Sequence, residues 1–195
     1  MQETNKKVSG CNGECSSCES SSSCSVNNFQ LKLNDYSHIK TIIGVVSGKG
    51  GVGKSMISSL LAVTLAEKGL NVGIMDADIT GPSIAKTFNV KEKAYGQNNL
   101  IYPHVTEKYN IKVISSNMLL ENDDDPIVWR GSLISNLVKQ FYTDVFWGKL
   151  DVLLIDMPPG TGDVALTTFQ SIPLDGIVMV TTPQDLVSMI VEKAI

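Results

Sequence analysis

No stretch of this 195-residue chain approaches the roughly eighteen consecutive apolar residues that a membrane-spanning helix needs. The apolar core of a secretory signal is missing too, because residues 1 to 25 are polar and serine-rich. Basic charge is in short supply. Sixteen Lys and Arg against 20 Asp and Glu give a net charge of −4, which argues against a strongly basic nucleic-acid binder. Histidine is scarce, and His38 and His104 stand far apart in polar contexts, as surface side chains rather than a ligand pair. Cysteine is absent after Cys24. These absences point to a cytoplasmic protein with neither a membrane nor a nucleic acid as its partner. All four cysteines lie within Cys11 to Cys24, and in a reducing compartment such a cluster binds metal more readily than it forms disulfides.

What is present is the balance of a soluble globular protein, 43% hydrophobic and 18% charged, in a length that suits one α/β domain plus a tail. Residues 1 to 40 read as a Cys-rich N-terminal tail and linker. The tail has too few apolar side chains to offset its ordering entropy and is expected to be disordered without a ligand. Residues 29 to 40 form a linker or a first covering segment. Residues 41 to 195 carry the folded pattern. Thr41 to Ser47 and Asp151 to Ile155 are continuous apolar runs that suit buried parallel strands, as does Ile177 to Val180. Asn71 to Met75 and Ile111 to Ile114 add two more strands, with 89 to 110 read as polar and irregular between them. Lys54 to Lys68 is a helix stopped by Gly69, with Ile57, Leu60, Leu61, Leu65 and Ala66 packed on a sheet and a neighbour. Ser132 to Phe146 has strong helical periodicity, with Leu133, Leu137, Phe141 and Val145 in one row and Ile134, Val138, Tyr142 and Phe146 beside it. Trp129 and Trp147 flank that helix. Alternating strands and helices predict an α/β fold with a mostly parallel sheet flanked by helices. Gln184 to Ile195 reads as a helix that stops without a cap, so the chain is expected to be a fragment, incomplete at its C-terminal side. The acidic run Glu121 to Asp125, broken by Asn122, reads as a solvated loop.

The chemistry concentrates in Gly48-Lys49-Gly50-Gly51-Val52-Gly53-Lys54-Ser55, which fits G-x-x-x-x-G-K-[ST] between a predicted strand and helix. Glycines let successive backbone N–H groups curl around phosphate oxygens, and the helix N-terminus adds its positive dipole end. Lys54 would reach the β and γ oxygens of ATP, and the Ser55 hydroxyl would hold Mg²⁺. Asp156 ends an apolar strand at its C-terminal edge, where open α/β sheets bind ligands, and suits a carboxylate acting on Mg²⁺. Asp76 and Asp78 end the second strand. One would orient the attacking water and the other support the ion. Asp78 is assigned to catalysis and Asp76 to the nucleotide side. Pro158 to Asp163 would sense ATP against ADP, or is simply a tight strand-to-helix loop.

The second lysine of this motif, Lys49, resembles the deviant phosphate loop of the MinD, ParA and nitrogenase-iron-protein class. Asp76 to Ser83, Trp129-Arg130-Gly131, Asp156 to Asp163 and Thr181 to Asp185 are together similar to the Mrp/ApbC family of iron–sulfur cluster carrier ATPases, from about residue 40 onward. The resemblance implies a P-loop NTPase fold and a nucleotide-sandwich homodimer in which Lys49 reaches the partner's ATP. It also implies hydrolysis coupled to cluster assembly or delivery, with iron–sulfur apoproteins or scaffold proteins as partners. Family members carry a Cys-x-x-Cys pair further on that bridges two subunits, and these 195 residues end before it. A positioning ATPase of the MinD/ParA type and a reductase resembling the nitrogenase iron protein are the alternatives.

Cys11, Cys15, Cys18 and Cys24 offer four soft thiolates that favour an iron–sulfur cluster, expected as [4Fe–4S], or zinc. Cys15-x2-Cys18-x5-Cys24 resembles the N-terminal motif of eukaryotic cytosolic relatives, whose first cysteine lies further upstream than Cys11. Three readings compete. The radical-SAM spacing of Cys11, Cys15 and Cys18 lacks its barrel, a closed thiolate site also suits structural zinc, and a short Ser/Cys tail can bind nothing.

Overall fold

The computed structural model describes residues 30–79, 81–119, 131–160 and 162–183. The elements run β1 (His38–Ser47), α1 (Lys54–Glu67), β2 (Val72–Asp76), α2 (Ile84–Thr87), β3 (Tyr95–Gln97), β4 (Leu100–Tyr102), β5 (His104–Val105), β6 (Lys112–Ile114), α3 (Gly131–Thr143), β7 (Lys149–Asp156), α4 (Asp163–Ser171) and β8 (Gly176–Val180). Six strands form one sheet in the order β5-β6-β2-β7-β1-β8, parallel throughout except for β5 against β6. This is the expected α/β architecture with a mostly parallel sheet flanked by helices. The four cysteines, Trp129, Arg130 and the helix read over Gln184 to Ile195 lie outside the described residues.

The apolar run of β7 explains why the sheet is double-faced. Val152 and Leu154 point into a cluster with Ala62, Val72, Ile74 and Val113. Leu153 and Ile155 point the other way, to Met75, Phe141, Tyr142 and Trp147. A strand apolar at every position needs cover on both sides, and α1 and α3 supply it. Register then decides where the chemistry sits. Asp76 of β2 pairs with Asp156 of β7, and Val45 of β1 lies on the other side of Asp156. The C-terminal ends of three adjacent strands therefore meet where the Gly48–Ser55 loop leaves β1.

Several boundaries differ from the sequence reading. β1 begins at His38, three residues before Thr41. The stretch 89 to 110 is not irregular: it folds into the β3–β4 hairpin and the edge strand β5. Asn98 and Asn99 turn the hairpin with φ of 53° and 61°, the doubly left-handed conformation of a two-residue turn that asparagine tolerates. Strands of two or three residues are too short to show a period, which is why the pattern missed them. Helix α3 stops at Thr143 rather than running to Phe146, and Val145 instead bridges to Ile101. Trp147 is buried behind the helix end and donates from Nε1 to the Phe141 carbonyl, 3.1 Å. α1 ends as expected, with Gly69 N–H bonded to Ala66 O and Leu70 N–H to Leu65 O. β8, read as a buried strand, is the edge of the sheet among the described residues, and Ile177 is exposed. Ahead of β1, Leu31 and Leu33 pack on the core. The Asn34 side-chain amide donates to Thr143 O and Val145 O at 2.8 and 2.9 Å, so this segment covers the end of α3.

Candidate functional site

Between β1 and α1 the chain turns through Gly48, Lys49, Gly50, Gly51, Val52 and Gly53. Gly53 takes φ +89° and forms the N-terminal boundary of α1, a backbone state that a side chain at that position would strain. Gly50, Gly51 and Gly53 are exposed, whereas Val52 is half-buried. Ser47 Oγ donates back to Lys49 O, 3.0 Å, which fixes the entry to the loop. From the other side, Gly160 N–H donates to Ser47 O at 2.8 Å, so the Pro158–Gly160 loop after β7 is tied to the end of β1. A cavity of about 270 Å³ lies between Lys49, Lys54, Ser55, Asp78 and Pro159. A larger one, about 720 Å³, lies beside α1 and α2, lined in part by Met56, Leu60, Phe88 and Tyr109. Its size is greater, but its floor is apolar, and the smaller cavity holds the convergent polar groups that chemistry requires.

Asp156 is the centre of those groups. Its carboxylate is completely buried. Lys54 Nζ lies 2.8 Å from Oδ2, and Ser55 Oγ donates to the same oxygen at 2.6 Å. Ser58 Oγ donates to Oδ1, also at 2.6 Å. Asp78 reaches Lys54 more loosely, at 3.9 Å, and lines the cavity. The predicted residues Lys54, Ser55, Asp78 and Asp156 thus stand together, with Lys49 on the cavity wall. A buried carboxylate is tolerable here because a cation and two hydroxyls satisfy it.

Asp76 is placed differently from its neighbour Asp78. It is fully buried, and its carboxylate accepts from Asp78 N–H, Ser83 N–H, Ile84 N–H and Ser115 Oγ, at 3.1 to 3.2 Å. Those four bonds pin the start of α2 and the end of β6 to the end of β2. Burial pushes its pKa up to about 7, with the facing charge of Asp156 adding to the effect. The Ile84 N–H and Ser115 bonds oppose the shift, and the Asp78 charge adds a smaller upward push. Had β2 continued past Asp76, alternation would have set the two carboxylates on one face. The chain leaves the strand at Asp76, so they part, one inward to α2 and one toward Lys54.

Ser58 was missed by motif reading, since it lies outside the eight-residue loop. The signal was its position one helical turn after Lys54, on the face that Lys54 itself presents to β7. Magnesium fits what is present. A hydroxyl and a carboxylate are hard oxygen donors, and this ion is held by one or two carboxylates plus substrate phosphates. Among the described residues no group of three His, Cys, Asp or Glu side chains is gathered to hold a metal by itself. Among them also, no helix is long and apolar enough to cross a membrane.

Comparison with known proteins agrees with this geometry. A family model described as "ParA: NUBPL iron-transfer P-loop NTPase" matches residues 38–195. An iron–sulfur cluster carrier protein of Clostridium perfringens is 46% identical over 200 residues, covering 94% of this chain and 70% of the relative. Proteins of that same name from Methanococcus maripaludis and Saccharolobus solfataricus are 44% and 47% identical. They cover 95% and 85% of this chain, which spans 66% and 55% of their lengths. A nucleotide-binding protein of Archaeoglobus fulgidus, solved in complex with ADP, is 45% identical with a TM-score of 0.70, over 80% of this chain and 60% of that one. The septum site-determining protein MinD of Pyrococcus horikoshii, at 20% identity and a TM-score of 0.54 over 80% of this chain and 66% of that one, shares the fold. On this footing the chain belongs to the ParA family of NUBPL-type iron-transfer P-loop NTPases.

Proposed function

We propose that this chain is the nucleotide-driven part of an iron–sulfur cluster carrier: it binds Mg·ATP at the Gly48–Ser55 loop, hydrolyses it, and couples the cycle to holding or delivering a cluster. The observation that carries the proposal is the convergence of Lys54 Nζ and Ser55 Oγ on one buried oxygen of Asp156. The backbone N–H groups of Gly50 to Lys54 cradle the phosphates, and Lys54 neutralises the β and γ oxygens. Ser55 and Asp156 would hold magnesium, whose chemistry is to offset negative charge on the phosphate oxygens. Asp78 orients the water that attacks the γ-phosphoryl group, and Asp76 holds the strand end that positions Asp78. Little covalent chemistry falls to the protein, and rate comes from positioning and charge neutralisation. Lys49 reaches the nucleotide of a second copy, so the working unit is a homodimer.

The cargo is an iron–sulfur cluster, of the [4Fe–4S] type, and its recipients are apoproteins or scaffold proteins in the cytoplasm. The names of the relatives support the cargo, and the four thiolates of Cys11, Cys15, Cys18 and Cys24 suit it. Within residues 1–40 the cysteine-bearing tail serves to bind the cluster and the segment from Leu31 covers the core, and 41–195 serve as the body of the ATPase domain. Anaerobic reconstitution with iron and sulfide tests this reading. A thiolate-ligated chromophore with a cluster EPR signal is expected. Cys15→Ser, Cys18→Ser and Cys24→Ser are each expected to lower bound iron, and Cys11→Ser less so. Zinc in the purified protein together with no chromophore would overturn the cluster assignment.

A further inference from the structure

Asp156 has two oxygens, and the structure uses them differently. Oδ2 meets Lys54 and Ser55, both of which line the cavity at the Gly48–Ser55 loop. Oδ1 is turned into the protein and accepts from Ser58 Oγ at 2.6 Å. Ser58 is completely buried, and its Oγ lies 3.1 Å from Lys54 O, the helix carbonyl one turn back. A hydroxyl has one proton to donate, and the shorter contact to a charged acceptor is the stronger. The terminal torsion of an aspartate is broad, so a carboxylate held at one oxygen only can swing. Ser58 removes that freedom.

We propose that Ser58 is a positioning residue for the metal site: it clamps Oδ1 of Asp156 so that Oδ2 stays turned toward Ser55 and the phosphates, and thereby sets the affinity for Mg²⁺. The inference rests on the proposed binding of Mg·nucleotide at this loop. It also accounts for an inversion in α1. Serines 58 and 59 are buried while Met56 and Leu60 are exposed, which is the reverse of what apolar patterning would choose. The helix is rotated so that hydroxyls, not methyl groups, face the end of β7. Partners that orient a metal ligand have effects of about 10–100-fold on metal affinity when removed.

Ser59 is an internal control. It shares helix, burial and chemistry with Ser58, but its hydroxyl bonds only the Ser55 carbonyl, 2.8 Å. The experiment titrates MgCl₂ into the protein·ADP complex by calorimetry, and ADP alone in the presence of EDTA, for wild type, Ser58→Ala, Ser58→Cys and Ser59→Ala. Ser58→Ala is expected to weaken Mg²⁺ binding about 10–100-fold, with metal-free ADP affinity within about twofold of wild type. Ser58→Cys, a weak donor of similar shape, should fall between, and it carries the test if the alanine variant does not fold. Ser59→Ala should leave both affinities unchanged. Unchanged Mg²⁺ affinity in Ser58→Ala, or equal losses in both serine-to-alanine variants, overturns the assignment. If wild type binds no ADP, or binds ADP but no Mg²⁺, the functional reading itself fails and takes this inference with it.

Discussion

Helices α1 and α3 cover opposite faces of one sheet, and they bury opposite kinds of side chain. α3 turns Ile134, Leu137, Val138, Phe141 and Tyr142 inward, as its periodicity requires. α1 turns Lys54, Ser58, Ser59 and Ala62 inward and leaves Met56, Ile57 and Leu60 in contact with solvent. α3 is held by area removed from water. The N-terminal turns of α1 are held by a glycine hinge at Gly53 and by charge-assisted hydrogen bonds to Asp156. The two helices show that one sheet can anchor a helix for stability on one side and for chemistry on the other. Amphipathicity reports only the first.

The comparison can be broken most sharply at Lys54. Lys54→Ala should lower ATP affinity or turnover by about 100-fold or more, because on the proposed reading Lys54 is the cation that neutralises the phosphates. Lys49→Ala should be equally inactive if it acts on a second copy's nucleotide. Mixing the two variants should restore part of the activity, since a mixed dimer keeps one site with both lysines. Normal hydrolysis by Lys49→Ala alone would remove the across-dimer role.

Phe141→Ala makes the reciprocal test in α3. It should cost about 3–5 kcal/mol of folding stability, read by urea denaturation, through lost burial and the cavity left beside Trp147. ADP affinity of the folded fraction should not change. A large loss of affinity would mean that the two faces are coupled.

A pH series examines the polar side more finely. The pKa of Asp76 rises from an unfolded value near 3.8 to about 7 in the fold, first through burial. A raised folded pKa means the folded state binds the proton more tightly. The stability this group contributes is therefore complete below about pH 3.8 and lost as pH rises through about 7. Between about pH 5 and 8, wild type should lose denaturation midpoint relative to Asp76→Asn, whose slope should be flatter. Parallel slopes would contradict the shift.

The smallest effect is expected at the exposed side of α1. Leu60→Ala should alter stability by no more than about 0.5 kcal/mol and leave ADP binding alone. A loss of several times that size would show the Met56–Leu60 face to be covered in solution.

Much of this was legible in the chain. Gly48 to Ser55 announced the phosphate loop because glycine and lysine at that spacing have few other uses between a strand and a helix. The continuous apolar run of β7 announced a strand buried on both faces, and its terminal Asp156 a carboxylate at the ligand edge. Gly69 announced the end of α1. What stayed hidden depended on partners distant in sequence. The hairpin at Tyr95 to Tyr102 has too few residues for a period. Ser58 looks like any helix serine until β7 is laid against it 98 residues later. Asp76 and Asp78 look alike until the strand ends between them.

The sequence by itself determined which residues are candidates to bind a phosphate and where the longer strands and helices run, because motif spacing and hydrophobic period are local properties of the chain. Only the tertiary structure decided the direction in which α1 faces, the split between the two oxygens of Asp156, and the separate fates of Asp76 and Asp78. Those outcomes follow from strand register, which brings Asp76 level with Asp156, and from the elements packed at each strand end, α2 and β6 around Asp76 and α1 over Asp156. A hydrogen bond needs its donor and acceptor within about 3 Å, and no local pattern records that distance.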